Sequence, residues 1–340
     1  MSDHVRAALA SIVEGRTLSV EEARLAMGAV MDGDATPAQL AAMLMGLRMR
    51  GETVEELAGF ASAMRERVLK VDAPDGAIDV VGTGGDGSNT FNISTAAALV
   101  VASTGVPVAK HGNRAITSRS GSADVLEALG IRIDHDAESA ARALRENGFA
   151  FMFAPAFHPA MKHAGPTRRE IGIRTSFNLI GPLTNPAGTK RALIGVGDPM
   201  AAGRIAAVAA LLGTDRTIVV HGAGVDELPL DGSGEIHDVI GDGILSFTAD
   251  IDGLGLGLAP TSALAGGTAA ENAAILESIF EGETSPRRDV VILNAGAALV
   301  AAGTVAGLGE GVDAARAALD AGKPSDLLAR LRAEKLAAAS

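Results

Sequence analysis

Hydrophobic residues recur at helical spacing near the start of the chain, as in Leu40, Met43, Leu44 and Leu47, and again in Leu57, Phe60, Ala61 and Met64. The runs follow helix-start signatures. Ser19 with Glu22, Thr36 with Gln39 and Thr53 with Glu56 fit the capping box, in which a hydroxyl caps an amide three residues on and the acid or amide side chain reaches back. Pro37 sits at a first helical position, where its missing N–H costs nothing. The pattern predicts a small all-helical unit over residues 1–72. Such a unit buries little by itself, so its apolar faces meet either the rest of the chain or a partner subunit.

Val71 to Gly76 is a turn rich in Asp, Pro and Gly, and beyond it the period changes. Short apolar runs read as strands at 78–81, 106–109, 150–153, 193–196 and 217–221, and they alternate with helical patterns at 95–104, 122–129, 137–147 and 199–212. After about residue 260 the chain reads as mostly helical, including 268–280 and 286–302. The fold class predicted is α/β: a large domain over 73–340 with a mainly parallel central sheet, beside the small helical one. In such sheets ligands bind beyond the carboxyl ends of the strands. A dense polar run from His158 to Gly188 interrupts the alternation, and part of 165–188 is expected to return to the helical unit and roof the crevice. No internal repeat is present.

Composition narrows the classes. With 340 residues, 47% hydrophobic, the chain is long enough for a large core, and disorder is not expected. The absence of Cys removes disulfides, thiolate ligands and a Cys nucleophile, and together with an N-terminus lacking a secretory or transit signature it predicts a cytoplasmic protein. No apolar run approaches the ~20 residues of a membrane span. A net charge of -12 and 3% aromatic residues, with neither Trp nor Tyr, argue against a nucleic-acid surface.

Against that acidic background one interval stands out. Between Asp86 and Asp124 there is no Asp or Glu, yet Lys110, Arg114 and Arg119 fall there, after a glycine turn at Gly82, Gly84, Gly85 and Gly87. Gly82, Gly84 and Gly87 satisfy G-x-G-x-x-G, but no acidic residue follows ~20 positions later and no helix opens at Gly87, so the dinucleotide reading fails. What remains is a loop whose amides approach a phosphate closely, with hydroxyls from Thr83, Ser88, Thr90, Ser94 and Thr95. Lys110, His111, Asn113 and Arg114 read as a donor cluster at a strand end, without acidic neighbours along the chain. Asp226 and Glu227 lie just past another strand and suit Mg²⁺, which takes one or two carboxylates plus waters and substrate phosphates; alone, such a pair is more often a solvated turn. Asp198 reads as an N-cap. His158, His163, His221 and His237 lack zinc spacing, and neither a G-x-S-x-G elbow nor a Walker loop occurs.

The segments Gly82–Asp86, Asn92–Thr95, Lys110-His-Gly-Asn-Arg114, Gly121–Asp124, Gly172–Pro186 and Val225-Asp-Glu227 resemble the anthranilate phosphoribosyltransferases over essentially the whole chain. The resemblance implies transfer of a 5-phosphoribosyl group from phosphoribosyl pyrophosphate to the amine of anthranilate, in tryptophan biosynthesis. By the same resemblance Gly82, Gly85, Asp86, Thr90, Asn92, Ile93, Ser94, Thr95, Lys110, His111, Gly112, Asn113, Arg114, Ala115, Ile116, Thr117, Ser118 and Ser122 hold the donor. It also implies two Mg²⁺ per subunit, one on Ser94 and Glu227 and one on Asp226 and Glu227, with Arg168, Asn113 and Gly82 at the acceptor. No residue is implied as a strong general base. A homodimer through the helical unit is expected, without nucleic-acid or membrane partners. Ala223-Gly224-Val225 departs from the expected Asp-Gly-Leu but leaves both carboxylates in place. A pyrimidine nucleoside phosphorylase would use phosphate rather than Mg²⁺-pyrophosphate, and its signature around the lysine differs. A non-catalytic nucleic-acid-binding relative conflicts with the intact Asp226-Glu227 pair and the negative charge.

Overall fold

The computed structural model describes residues 2–115 and 119–338. Four helices come first: α1 (Asp3–Val13), α2 (Val20–Met31), α3 (Pro37–Arg50) and α4 (Val54–Arg67). All three capping boxes close, so each of these helix starts has a chemical cause. Ser19, Thr36 and Thr53 accept from the amides of Glu22, Gln39 and Glu56 at 3.3, 3.2 and 3.3 Å. Buried Glu56 also accepts from the Leu18 amide at 2.9 Å and from the Arg50 guanidinium, tying α4 to the turn before α2.

The helical unit does not keep its apolar face to itself. Met27, Leu40, Leu44 and Phe60 belong to one hydrophobic cluster with Ala202, Ile205 and Ala206 of the larger domain. Of the two uses open to that face, packing on the rest of the chain accounts for most of it.

The sheet has seven strands: β1 (Ile78–Gly82), β2 (Val108–Gly112), β3 (Phe149–Phe153), β4 (Arg191–Gly195), β5 (Arg216–His221), β6 (Glu235–Ile240) and β7 (Gly243–Thr248). Their order is β3-β2-β1-β4-β5-β6-β7, with the first five parallel and the last two antiparallel. The winding reverses between β1 and β4, so a crevice opens above their carboxyl ends. Three helices connect the first strands: α5 (Ile93–Ser103), α6 (Ser122–Ala128) and α7 (Ala137–Asn147). After β3 come the short α8 (Ala154–Phe157), α9 (Gly165–Ile171) and α10 (Ser176–Ile180). Of these, α9 packs on α3, while α10 packs on α3, α4 and α11 (Pro199–Leu211). The chain closes with α12 (Ala269–Phe280), α13 (Pro286–Ala302), α14 (Leu308–Asp320) and α15 (Lys323–Ala338). Buried α13 lies against α5, making the core of one sheet face.

The mixed α/β class agrees with the sequence reading, but two local readings do not. The hairpin β6–β7 was not expected. Every residue of β7 is exposed, so an edge strand of this kind carries no apolar alternation to read, and only the Gly241 turn, with φ of 59°, marks it. Secondly, β2 runs to Gly112 rather than ending at Ala109, which puts Lys110 and His111 inside the sheet. Strands seldom hold a lysine in the core, and its partners explain the exception.

Candidate active site

The carboxyl ends of β1 and β4 pair at Gly82 and Gly195, and both glycines are required by what lies over them. A Cβ at Gly195 would fall 1.6 Å from the Asp226 carbonyl oxygen, and one at Gly82 would fall 2.2 Å from Asp226 Oδ2. The notch made by two missing side chains receives the segment after β5 and brings Asp226 against the glycine loop. There the Gly84 amide donates to Asp226 Oδ2 at 2.7 Å, and the Asp226 amide donates to Asp86 Oδ2 at 3.3 Å. Positive φ at Gly84 and Gly85, 62° and 63°, turns the loop back on itself.

Beside Asp226, buried Glu227 accepts from the Ser94 amide at 3.0 Å, in the first turn of α5. The N-cap residue itself, Asn92, makes no side-chain cap bond to that helix. Its positive end is therefore spent on Glu227 and on whatever anion enters. Burial, and then the charge of Asp86, pushes the Asp226 carboxyl up to about 7; burial, and then Asp226, pushes Glu227 well above the usual range. Three crowded carboxylates facing one buried lysine form a site short of positive charge. Among the described residues no three His, Cys, Asp or Glu side chains make a complete cage. Mg²⁺ does not need one, because it keeps waters and shares substrate phosphates, so the donor set fits that ion.

The carboxylate pair is also held from behind. Asn294, fully buried on α13, accepts from the Leu228 amide and donates to the Leu228 carbonyl, both at 2.9 Å. Both backbone groups of the residue next to Glu227 thus bond to one side chain. Sequence reasoning passed over Asn294; its signal is a lone amide inside the apolar run from Val290 to Leu299.

On β2, Lys110 is 1% exposed and its Nζ donates to the Val80 carbonyl. Burial lowers its pKa, while the charges of Asp79, Glu227 and Asp226 pull it back up. Asp79 is buried too; burial raises its pKa to about 6, against the pull of Lys110. It accepts from Asn185 Nδ2 at 2.6 Å and from the His111 amide at 3.2 Å. Lys110 is thus a buried counter-charge to these carboxylates, set inside the sheet. His111 stands 5.1 Å, ring to ring, from His158. Burial first, and for His111 also the other ring, lowers them to about 3 and about 4, so both are neutral near pH 7, with buried Nε2 atoms that have no protein partner. The sequence reading weighed His158 only as a zinc ligand and did not place it beside His111.

The impression of a cationic stretch without acidic neighbours is corrected by the fold. Arg114 is paired with Asp124 and Glu127 at 2.8 and 2.9 Å, because α6 folds those acids back over the segment that precedes it. Asp124 also accepts from the Ala115 and Gly121 amides, and Ser122 Oγ donates to the Asn113 carbonyl at 3.2 Å. Ile116, Thr117 and Ser118 lie outside the described residues. The remaining residues singled out in sequence, Thr90, Asn92, Ile93, Thr95 and Gly112, line up along the glycine loop, the start of α5 and the end of β2. Thr95 Oγ1 is buried without a partner.

In the segment after β3, α9 carries Arg168 and α10 carries Phe177. The Arg168 guanidinium carbon lies 4.6 Å from the Phe177 ring centroid, and among the described residues it has no carboxylate partner. Burial lowers its pKa, yet a guanidinium stays charged. Arg174, just beyond α9, donates to the Gly84 carbonyl. Between the helical unit and the sheet rim lies a cavity of about 220 Å³, whose walls include Arg48, Glu52, Thr83, Asp86, Arg174 and Arg204.

Residues 6–68 match the glycosyl transferase family helical bundle domain, and residues 74–325 match the glycosyl transferase family a/b domain. The anthranilate phosphoribosyltransferase of Thermomicrobium roseum is 50% identical over 334 residues, covering 96% of each chain. The solved structure of that enzyme from Thermus thermophilus superposes with a TM-score of 0.91 at 44% identity, covering 96% of this chain and 99% of the other. The enzyme from Saccharomyces cerevisiae in complex with PRPP and Mg superposes with a TM-score of 0.87 at 26% identity, covering 99% of both chains.

Proposed function

This chain belongs to the anthranilate phosphoribosyltransferase family, and from that premise we propose how its own residues carry out the transfer. The reaction moves the 5-phosphoribosyl group from phosphoribosyl pyrophosphate to the anthranilate amine, giving N-(5-phosphoribosyl)anthranilate and pyrophosphate. The observation that carries the assignment of roles is the junction of the glycine loop, the start of α5 and the Asp226-Glu227 pair at one rim of the sheet, together with Arg168, which stacks on Phe177 and, among the described residues, has no acid partner.

Gly82, Gly85, Asp86, Thr90, the first turn of α5 from Asn92 to Thr95, the segment from Lys110 to Ser118, and Ser122 hold the donor. The amide-rich loop and the α5 terminus face its phosphates, which need no side-chain cation at each oxygen. Ser94, Asp226 and Glu227 would hold Mg²⁺, two ions per subunit, shared with the pyrophosphate. When bound, these ions neutralise the charge that grows on the leaving pyrophosphate. Asn294 keeps the Glu227 backbone from recoiling as that charge builds.

Arg168 receives the anthranilate carboxylate. Its fork matches a carboxylate, and stacking on Phe177 fixes its plane. Asn113 and the Gly82 backbone stand beside the amine. The amine nitrogen forms its bond to C1 of the ribose as the C1–oxygen bond to pyrophosphate breaks, with inversion. The nitrogen's extra proton leaves afterwards to solvent or to the departing pyrophosphate, so a strong base is not required.

Mixed with phosphoribosyl pyrophosphate and Mg²⁺, the protein should consume anthranilate, followed by the loss of its fluorescence; withholding Mg²⁺ should abolish the signal. Persistence of the fluorescence in the complete mixture would remove the assignment. The activity places the enzyme in tryptophan biosynthesis. The division into residues 1–72, joined by part of 165–188, and 73–340 makes the crevice an interdomain one. Val13 and Met49, 84% and 83% exposed on the helical unit, support a homodimer through that unit. Light scattering should then give twice 34.2 kDa, and a monomer mass would count against it.

A further inference from the structure

Two parts of the donor cradle are far apart in sequence and have to keep a fixed separation: the glycine loop leading into α5, and the turn at Ser120 and Gly121 that opens α6. A chain of side-chain amides joins them. Asn92 Nδ2 donates to the Ser120 carbonyl at 3.2 Å, and Asn92 Oδ1 accepts from Asn272 Nδ2 at 2.8 Å. Asn272, 2% exposed on α12, uses its own Oδ1 to accept from the Gly267 amide at 2.7 Å. The turn before α12 adds backbone bonds to the same loop: the Gly266 amide donates to the Asn89 carbonyl at 2.9 Å, and the Phe91 amide donates to the Leu264 carbonyl at 3.0 Å. Neither amide in the relay is free to turn over. Gly267 offers Asn272 only a donor and Ser120 offers Asn92 only an acceptor, so the direction of the whole relay is set at both ends.

We propose that Asn272 is a positioning residue for the donor site, acting through Asn92 to hold the Ser120 segment against the glycine loop. Asn272 is buried behind Asn92 and acts through it. The proposal rests on reading these two segments as the donor cradle. Its chemistry predicts a specific failure. In Asn272→Asp the carboxylate still accepts from the Gly267 amide, so the α12 turn survives, but it no longer donates. Asn92 then satisfies it only by reversing its amide, which sets Asn92 Oδ1 against the Ser120 carbonyl, two acceptors face to face. The link between the segments opens by the loss of one donor.

Steady-state kinetics at saturating Mg²⁺ test this. Asn272→Asp should raise the KM for phosphoribosyl pyrophosphate about tenfold, as expected for one broken buried hydrogen bond, with the KM for anthranilate within about twofold of the parent. Because the effect passes through Asn92, adding Asn272→Asp to Asn92→Ala should raise that KM no further. Equal shifts in both KM values, an unchanged donor KM, or additive effects in the double variant would overturn the proposal. If the aspartate variant does not fold, Asn272→Ala alone and on Asn92→Ala gives the same comparison with the same outcomes. A parent enzyme that consumes no anthranilate would defeat the functional reading instead.

Discussion

Glu227→Gln should lower kcat/KM by on the order of a thousandfold, while the thermal midpoint stays equal to that of the parent or rises. The two halves of this result have one cause. Glu227 is buried beside Asp226, with only the Ser94 amide and Lys110 to offset its charge, and burial raises its pKa well above the ordinary range. A charge held against its own solvation is a cost to the folded state that a neutral amide of the same shape removes. The same charge is what a divalent ion calls for, and Gln supplies neither the charge nor a second carboxylate oxygen. Calorimetry with and without Mg²⁺ separates the readings. A variant that loses activity together with several degrees of stability would mean that Glu227 serves the fold rather than the reaction.

Arg168→Ala should raise the KM for anthranilate roughly a hundredfold, the equivalent of about 3 kcal/mol for a charge-assisted hydrogen-bonded pair, and leave the KM for phosphoribosyl pyrophosphate within about twofold. The arginines engaged by Glu56, Asp238 and Asp124 show how this chain treats a guanidinium meant for the fold: it gives it an acid. Arg168 has a ring beneath it and, among the described residues, no acid. Arg168→Lys should recover little, since an ammonium neither stacks as a plane nor bonds a carboxylate with two parallel donors. Initial rates with each substrate varied in turn decide the matter, and equal increases in the two KM values would contradict the assignment.

What could be read from the chain, and what could not, divides on distance along it. The capping boxes are local chemistry, and all three close as written. The glycine loop and the adjacent Asp226-Glu227 pair are short motifs whose meaning does not depend on remote residues. The burial of Lys110 beside Asp79 is not legible, because Asp79 stands outside the acid-free interval and meets it only when β1 and β2 pair. The acids around Arg114 are hidden for a similar reason, since α6 returns two of them to it. Asn272 and Asn294 sit on helices far down the sequence, and nothing near them hints at a loop some 180 residues earlier or 66 residues earlier. The hairpin β6–β7 was invisible because a strand with no buried face has no apolar period.

The notch where Gly82 and Gly195 meet has a bearing on how the enzyme keeps its aim. A carboxylate on a surface loop ordinarily inherits the loop's wandering, and an error of even one ångström in a reacting group is costly. Here the chain at Asp226 is seated on the rim of two paired strands, so its position is referred to the stiffest layer of the molecule. The two positions with no side chain act as a machined datum, and accuracy at the reaction centre is stored in what the sheet leaves out.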